Sequence, residues 1–133
     1  MRFIDTNVFI RFLTNDIPQK ADACEKIFKK AVEKKEIIFT TDMVIAEIVW
    51  VLESFYELEK EEIQPKVEKI LNTPNLVCPN KDLILRALAL YREKNIDYTD
   101  AYNALILKEK GVDELYSYDK DYDRIDWLTR LEP

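Results

Sequence analysis

Arg2-Phe3-Ile4-Asp5-Thr6-Asn7-Val8-Phe9-Ile10-Arg11-Phe12-Leu13 opens the chain. Arg2 to Ile4 reads as a short buried strand. From Asn7 to Leu13 the apolar residues Val8, Phe9, Phe12 and Leu13 recur at helical spacing and give one buried face. The change of period falls on Asp5. A strand running directly into a helix is the unit of an α/β fold, and the same alternation continues along the chain.

Pro18 opens a second helix reaching about Lys35, with Ala23, Ile27, Ala31 and Val32 apolar. Ile37 to Phe39 is a strand. Thr40 or Thr41 caps a helix from Asp42 to about Tyr56. Lys60 to Leu71 is helical, with Pro65 placed near the first turn, where proline is tolerated. Leu76 to Cys78 is a strand, and Asn80 caps a helix from Lys81 to Lys94 with Leu83, Ile84, Ala87, Leu88 and Tyr91 inward. Thr99 caps a helix from Asp100 to Lys110, which Gly111 ends. Glu114 to Ser117 is a fourth strand, and the last residues add a small edge strand. This pattern predicts an α/β domain spanning residues 1–133, with a mainly parallel sheet of four to five strands covered on both faces.

Composition narrows the chemistry. Of 133 residues, 47% are hydrophobic and 35% charged, as in a globular protein. No apolar run is long enough to span a bilayer. Asp5 interrupts any apolar segment of a signal peptide, so a cytoplasmic location without membrane attachment is expected. Cys24 and Cys78 lack metal-type spacing and are expected to be free thiols. There is no histidine, which removes histidine triads and imidazole-ligated zinc. Gly111 is the one glycine, so no glycine-rich phosphate loop exists. Any metal must be held by oxygen, which favours Mg²⁺ or Mn²⁺. The formal net charge of −6 gives no general attraction for nucleic acid.

Four acids stand in costly or strategic positions. Asp5 follows a strand, where open α/β sheets bind ligands, although an aspartate there also makes a good helix N-cap. Glu47 is the single charged side chain between Met43 and Leu52, an apolar run in which a buried carboxylate costs several kcal/mol. Asp100 lies in the first turn of a helix, which the helix dipole alone favours. Asp119 follows the fourth strand and begins an acidic turn with Asp121, Asp123 and Asp126. Asp97 reads as a solvated loop residue. If the fold gathers the four acids, they hold a divalent cation or stay partly protonated.

Phe3-Ile4-Asp5-Thr6-Asn7-Val8-Phe9-Ile10, Ile45-Ala46-Glu47-Ile48, Tyr98-Thr99-Asp100-Ala101-Tyr102-Asn103-Ala104 and Ser117-Tyr118-Asp119-Lys120-Asp121-Tyr122-Asp123 resemble, in order and spacing, the successive motifs of PIN-domain ribonucleases. The chain is most similar to the VapC-type toxins of toxin–antitoxin pairs. The resemblance implies a Rossmann-like three-layer α/β/α PIN domain. It also implies an acidic quartet of Asp5, Glu47, Asp100 and Asp119 as catalytic residues and metal ligands. Thr6, Asn7, Ser117 and Asp123 match supporting positions. The implied activity is Mg²⁺- or Mn²⁺-dependent hydrolysis of RNA, with a VapB-type antitoxin as partner and a homodimer as the common assembly. Arg11, in the helix after Asp5, is the basic residue expected to meet the RNA backbone.

Three rival functions share parts of this pattern. A haloacid-dehalogenase-like phosphatase wants an acid two residues after the first aspartate, where Asn7 stands. A receiver-like domain wants paired acids before its phosphorylated aspartate, and neither explains Glu47. A PIN-fold RNA-processing or RNA-binding module without toxin role is the remaining alternative.

Overall fold

A computed structural model describes all residues, 1–133, and separates them into two compact units, Met1–Lys81 and Asp82–Pro133. The first unit holds β1 (Arg2–Phe3), α1 (Thr6–Thr14), α2 (Pro18–Val32), β2 (Ile38–Phe39), α3 (Asp42–Ser54), α4 (Lys60–Leu71) and β3 (Leu76–Val77). The three strands form a parallel sheet in the order β1-β2-β3, with Arg2 opposite Ile38 and Ile38 opposite Leu76. Two helices make each crossover, α1 with α2 and α3 with α4. Backbone bonds carry the sheet one residue past the strands: Ile4 N–H donates to Phe39 O at 2.8 Å and Thr40 N–H to Val77 O at 2.9 Å. The buried Thr40 hydroxyl donates to Ile4 O at 3.0 Å. This stitching fixes the chain immediately before Asp5.

Burial explains why these segments become helices. Phe9 and Ile10 of α1, and Val44, Ile45, Ile48, Val49 and Leu52 of α3, are buried. The Thr41 hydroxyl accepts from Val44 N–H at 3.2 Å and caps α3 as expected. Three expectations need correction. Strand β1 is not buried: Arg2 and Phe3 are both exposed, and only Ile4 just beyond it is buried. The buried residues of α2 are Ala21, Phe28 and Ala31, while Val32 is 52% exposed. Phe28 stacks at 4.6 Å from Phe12 and 5.5 Å from Phe9, and these ring contacts set the rotation of α2. Pro65 lies inside α4 rather than in its first turn. It is exposed, so the backbone carbonyl it leaves unpaired faces water.

The second unit holds α5 (Lys81–Glu93, starting at the boundary), α6 (Tyr98–Glu109), β4 (Glu114–Tyr116), a 3-10 turn (Lys120–Arg124) and β5 (Thr129–Leu131). Strands β4 and β5 pair in parallel, Leu115 opposite Arg130. All five inward residues expected of α5 are buried. The fold is α/β, and every strand pairing in it is parallel.

Helix ends obey backbone sterics. At the end of α6, Gly111 has φ +71°, its N–H donates to Lys108 O at 3.2 Å, and Val112 N–H donates to Leu107 O at 2.9 Å. That pair of bonds is a Schellman motif. The same pair closes α2, where Lys34 takes the left-handed position at φ +61°. A Cβ on Gly111 would meet nothing within 4 Å, so only backbone strain opposes a side chain there. Gly111→Ala is therefore expected to destabilise by about 1 kcal/mol, and Lys34→Gly to stabilise by about 0.5–1 kcal/mol. Denaturant titration of both variants checks the opposite signs.

Candidate metal centre

In the second unit, α6 begins at Tyr98, with Asp97 at the N-cap position and no side-chain cap bond. The expected cap, Thr99, is instead an exposed residue of the first turn. The start moves because Asp97 takes the extended conformation, φ −61° and ψ 145°, and Ala101 N–H donates to Asp97 O at 2.9 Å. Asp100 is then held in the first turn of the helix.

The turn after β4 brings Asp119 to this helix start through its own short bonds. Ser117 Oγ accepts from Asp119 N–H at 2.9 Å, and Asp119 Oδ1 accepts from Asp121 N–H at 2.9 Å, capping the 3-10 turn. Asp97 N–H donates to Asp121 Oδ2 at 3.4 Å, and Arg124 donates to Asn95 O. One carboxylate oxygen from each of Asp97, Asp100, Asp119 and Asp121 lies within 4.8 Å of all the others.

Such crowding is electrostatically costly. Burial, and then a hydrogen bond and repulsion from Asp119, push the Asp100 carboxyl up to about 6, while a hydrogen bond from Tyr122 works in the opposite direction. Asp100 Oδ2 is buried and has no hydrogen-bond partner. Opposite oxygens around Mg²⁺ stand about 4.2 Å apart and around Ca²⁺ about 4.8 Å. The cluster therefore has the donor chemistry and the span of a site for one hard divalent cation, and the orphaned Oδ2 is the atom such a cation would satisfy.

Asp5, Thr6, Asn7, Arg11 and Glu47 belong to the first unit. Asp5 occupies the N-cap position of α1 in extended conformation, yet its side chain makes no cap bond. The capping role that an aspartate offers there is not taken, and the carboxylate is exposed. Thr6 is buried with its hydroxyl unpaired, and Asn7 is exposed. Glu47 is exposed, which corrects the expected burial cost. Helix α3 is apolar on its outer side too: Met43 and Trp50 are 78% and 65% exposed on the stripe that carries Glu47. Apolar neighbours in sequence therefore did not imply a buried glutamate. Arg11 pairs with Asp16 at 3.3 Å, and Asp16 also accepts from Tyr56 at 2.8 Å and Thr14 at 3.1 Å. Arg11 still lines a shallow depression of about 310 Å³ with Asn7, Val8, Lys20, Ala23 and Cys24.

The sequence matches the PIN domain family over residues 2–128. The chain belongs to the PIN domain family. A VapC ribonuclease of Aquifex aeolicus (strain VF5) is 30% identical over 129 residues, 97% of this chain and 95% of that protein. The crystal structure of the Mycobacterium tuberculosis toxin VapC20, described as cleaving the sarcin-ricin loop, aligns over 100% of both chains with 15% identity and a TM-score of 0.43.

In this PIN domain, Asp100 and Asp119 come together with two acids not singled out from sequence, Asp97 and Asp121. The available signal was spacing: Asp97 and Asp100 are three residues apart at a helix start, and Asp119 and Asp121 flank one residue of a tight turn. Asp123 is engaged elsewhere. Arg130 clasps it with two bonds, at 3.0 and 3.2 Å, and those bonds hold its carboxyl below the usual range. Ser117 acts through the Asp119 amide. Both cysteines are free thiols, and burial pushes each thiol up, Cys78 to about 11. No helix is long and apolar enough to cross a membrane.

The Asp100 shift has a readable consequence. The unfolded chain loses this proton near 3.8, whereas the folded, metal-free chain keeps it to about 6. The folded state binds more protons in between, so stability present below pH 4 is lost as pH rises towards and through 6. In EDTA, the melting temperature of the wild type should fall across that window more steeply than that of Asp100→Asn.

Proposed function

We propose that the protein is a divalent-metal-dependent endoribonuclease, the toxin of a VapBC-type toxin–antitoxin pair, working in the cytoplasm with residues 1–133 acting as one PIN domain. The observation that carries this reading is the end-to-end homology with a VapC ribonuclease, in a chain that holds a cluster of four aspartates. Mg²⁺ or Mn²⁺ is the cation that an all-carboxylate, histidine-free site suits. When bound, it supplies Lewis-acid polarisation of a phosphoryl oxygen and a more acidic water.

The remaining chemistry is assigned to side chains. Asp5 and Asp100 are the main metal ligands. Glu47 and Asp119 complete the coordination through oxygen or water and orient the attacking water in line with the scissile phosphodiester. Ser117 holds the turn that presents Asp119. Thr6 and Asn7 support Asp5, and Asp123 braces the turn through Arg130. The exposed tyrosine Tyr118 offers a face on which an unpaired base can stack. Arg11 and Lys20, on one depression of the first unit, give an otherwise acidic protein a local hold on the RNA backbone. The products would carry 5′-phosphate and 3′-hydroxyl ends.

The partners are a second copy of the chain and a VapB-type antitoxin. The exposed apolar side chains Met43, Trp50 and Phe55 on and just after α3 support such contacts, because an apolar stripe of this kind is costly in water. Light scattering of the purified chain tests the dimer, which Trp50→Asp should weaken.

The decisive experiment is cleavage of single-stranded RNA with Mg²⁺, Mn²⁺ or EDTA, beside Asp5→Asn, Glu47→Gln and Asp100→Asn. Each variant should lose at least about a hundredfold in rate, as expected when metal-held charge stabilisation is removed. Mn²⁺ should also raise the melting temperature more at pH 7 than at pH 5, because protons compete for the carboxylates. Cleavage surviving both aspartate substitutions would overturn the site assignment. Metal binding with no cleavage of any RNA would favour a PIN-fold RNA-binding module without toxin role.

A further inference from the structure

We infer that Asp16 is a positioning residue for Arg11: its carboxylate, locked by the Tyr56 hydroxyl, holds the guanidinium by one nitrogen and leaves the rest of the fork for an RNA phosphate. The inference rests on Arg11 meeting the RNA backbone, as proposed above, and concerns only the first unit.

Asp16 lies in the short turn between α1 and α2. Asn15 makes that turn in the left-handed conformation, φ 53°, and its N–H donates to Arg11 O at 3.3 Å. The chain folds back there, and Asp16 meets the side chain five positions earlier. Arg11 Nη1 stands 3.3 Å from Asp16 Oδ1 and 3.4 Å from Oδ2. Only this one nitrogen is engaged. Nε and Nη2 make no bond within the protein, and together they form an edge of the fork that matches two oxygens of one phosphate.

An ion pair this exposed does not hold a long side chain by itself. The far side of the carboxylate supplies the rest. Tyr56, just beyond α3 and 40 positions on in sequence, donates its hydroxyl to Asp16 Oδ2 at 2.8 Å. Thr14 Oγ1 lies 3.1 Å from Asp16 Oδ1 but nearer, 2.8 Å, to Ile10 O, so its single proton is shared. Tyr56 is the firm donor, and its bond is the first cause that holds the Asp16 carboxyl below the usual range.

Arg11 lines the depression of about 310 Å³ with Asn7 and Lys20. Asn7 and Arg11 are four apart on α1 and share a face. Asp5 precedes that helix, and at about 1.5 Å per residue Arg11 stands roughly 9 Å further along the axis. A phosphate seated on Arg11 is therefore a neighbour of the phosphate being cut, and Arg11 serves binding rather than chemistry. An arginine already held in place loses less freedom when that phosphate arrives.

Anisotropy of a short fluorescein-labelled single-stranded RNA, added in EDTA to the Asp100→Asn protein, tests this without cleavage. Backbone contacts do not depend on sequence, so any such RNA serves. Substituting Asp16 would remove a negative charge along with the bond, and the two effects oppose each other. Tyr56→Phe removes only the hydroxyl and leaves the charge unchanged. Its RNA dissociation constant should rise about three- to tenfold in a protein whose melting curve shows it folded. Arg11→Gln should weaken binding at least as much and reduce the salt slope by about 0.7. In the Arg11→Gln background, Tyr56→Phe should cost nothing further, because Tyr56 acts through Arg11. In the cleaving protein, Tyr56→Phe should raise KM for RNA while kcat holds. Unchanged affinity in folded Tyr56→Phe protein, beside a loss in Arg11→Gln, overturns the inference and leaves the nuclease reading intact. An equal loss in both backgrounds does the same. Arg11→Gln protein that binds RNA like its parent overturns the inference and the phosphate hold together, while metal-dependent cleavage still decides the nuclease reading separately.

Discussion

Carboxylates packed within the span of one cation's coordination shell repel one another, and the second unit is organised around holding them there. Asp97, Asp100, Asp119 and Asp121 sit within 4.8 Å, atom to atom. No lysine or arginine forms a salt bridge with any of the four. The chain opposes the repulsion with backbone and neutral donors instead. The Asp121 amide is spent on Asp119 and the Asp97 amide on Asp121. Neutral donors hold anions in place without cancelling their charge, so the cluster keeps the negative potential that a cation would seek.

The arginine that braces this turn is directed away from the cluster. Arg130, on β5, reaches Asp123 with two bonds, Glu132 at 2.8 Å and the carbonyl of Ser117 at 3.0 Å. Its fork neutralises Asp123 and at the same time ties the end of β4 to β5. Ser117 N–H closes the same corner on Leu131 O at 3.0 Å. The acids of the 119–123 turn are therefore divided by geometry. Asp119 and Asp121 face the cluster, and Asp123 serves as the anchor of an arginine that braces the turn.

Much of the fold was legible because strands and helices announce themselves by period. All five strands and six helices stand where the alternation of short apolar runs and helical stripes predicts, and Gly111 closes α6 as only glycine does without strain. Helix starts were harder. Asp97 takes the N-cap position of α6 without using its side chain, so side-chain preference pointed to Thr99, two residues late. Rotation was harder still. The α2 face follows the ring contacts of Phe28 with Phe9 and Phe12, which join residues well apart in sequence. Glu47 shows the limit of local reasoning most clearly. A run of apolar neighbours places a residue on an apolar helix but does not say which side of that helix meets the core.

The site was legible in its residue types more than in its membership. Absence of histidine and of a glycine-rich loop left oxygen donors as the available chemistry, and the cluster is made of carboxylates alone. Which carboxylates meet depended on a tight turn, where a change of one residue exchanges inside for outside. Asp121 and Asp123 are two apart, chemically identical, and face different partners. Tyr122 between them is buried, so its side chain is the fixed point about which the two aspartates are set to opposite sides. The hydroxyl of that residue is invisible to hydrophobic pattern, since a phenylalanine would fill the same space. Its partner Asn103 lies on α6, 19 positions earlier. Which acids meet is therefore settled only when the turn is folded onto the helix, a contact between residues far apart in sequence that no local pattern announces.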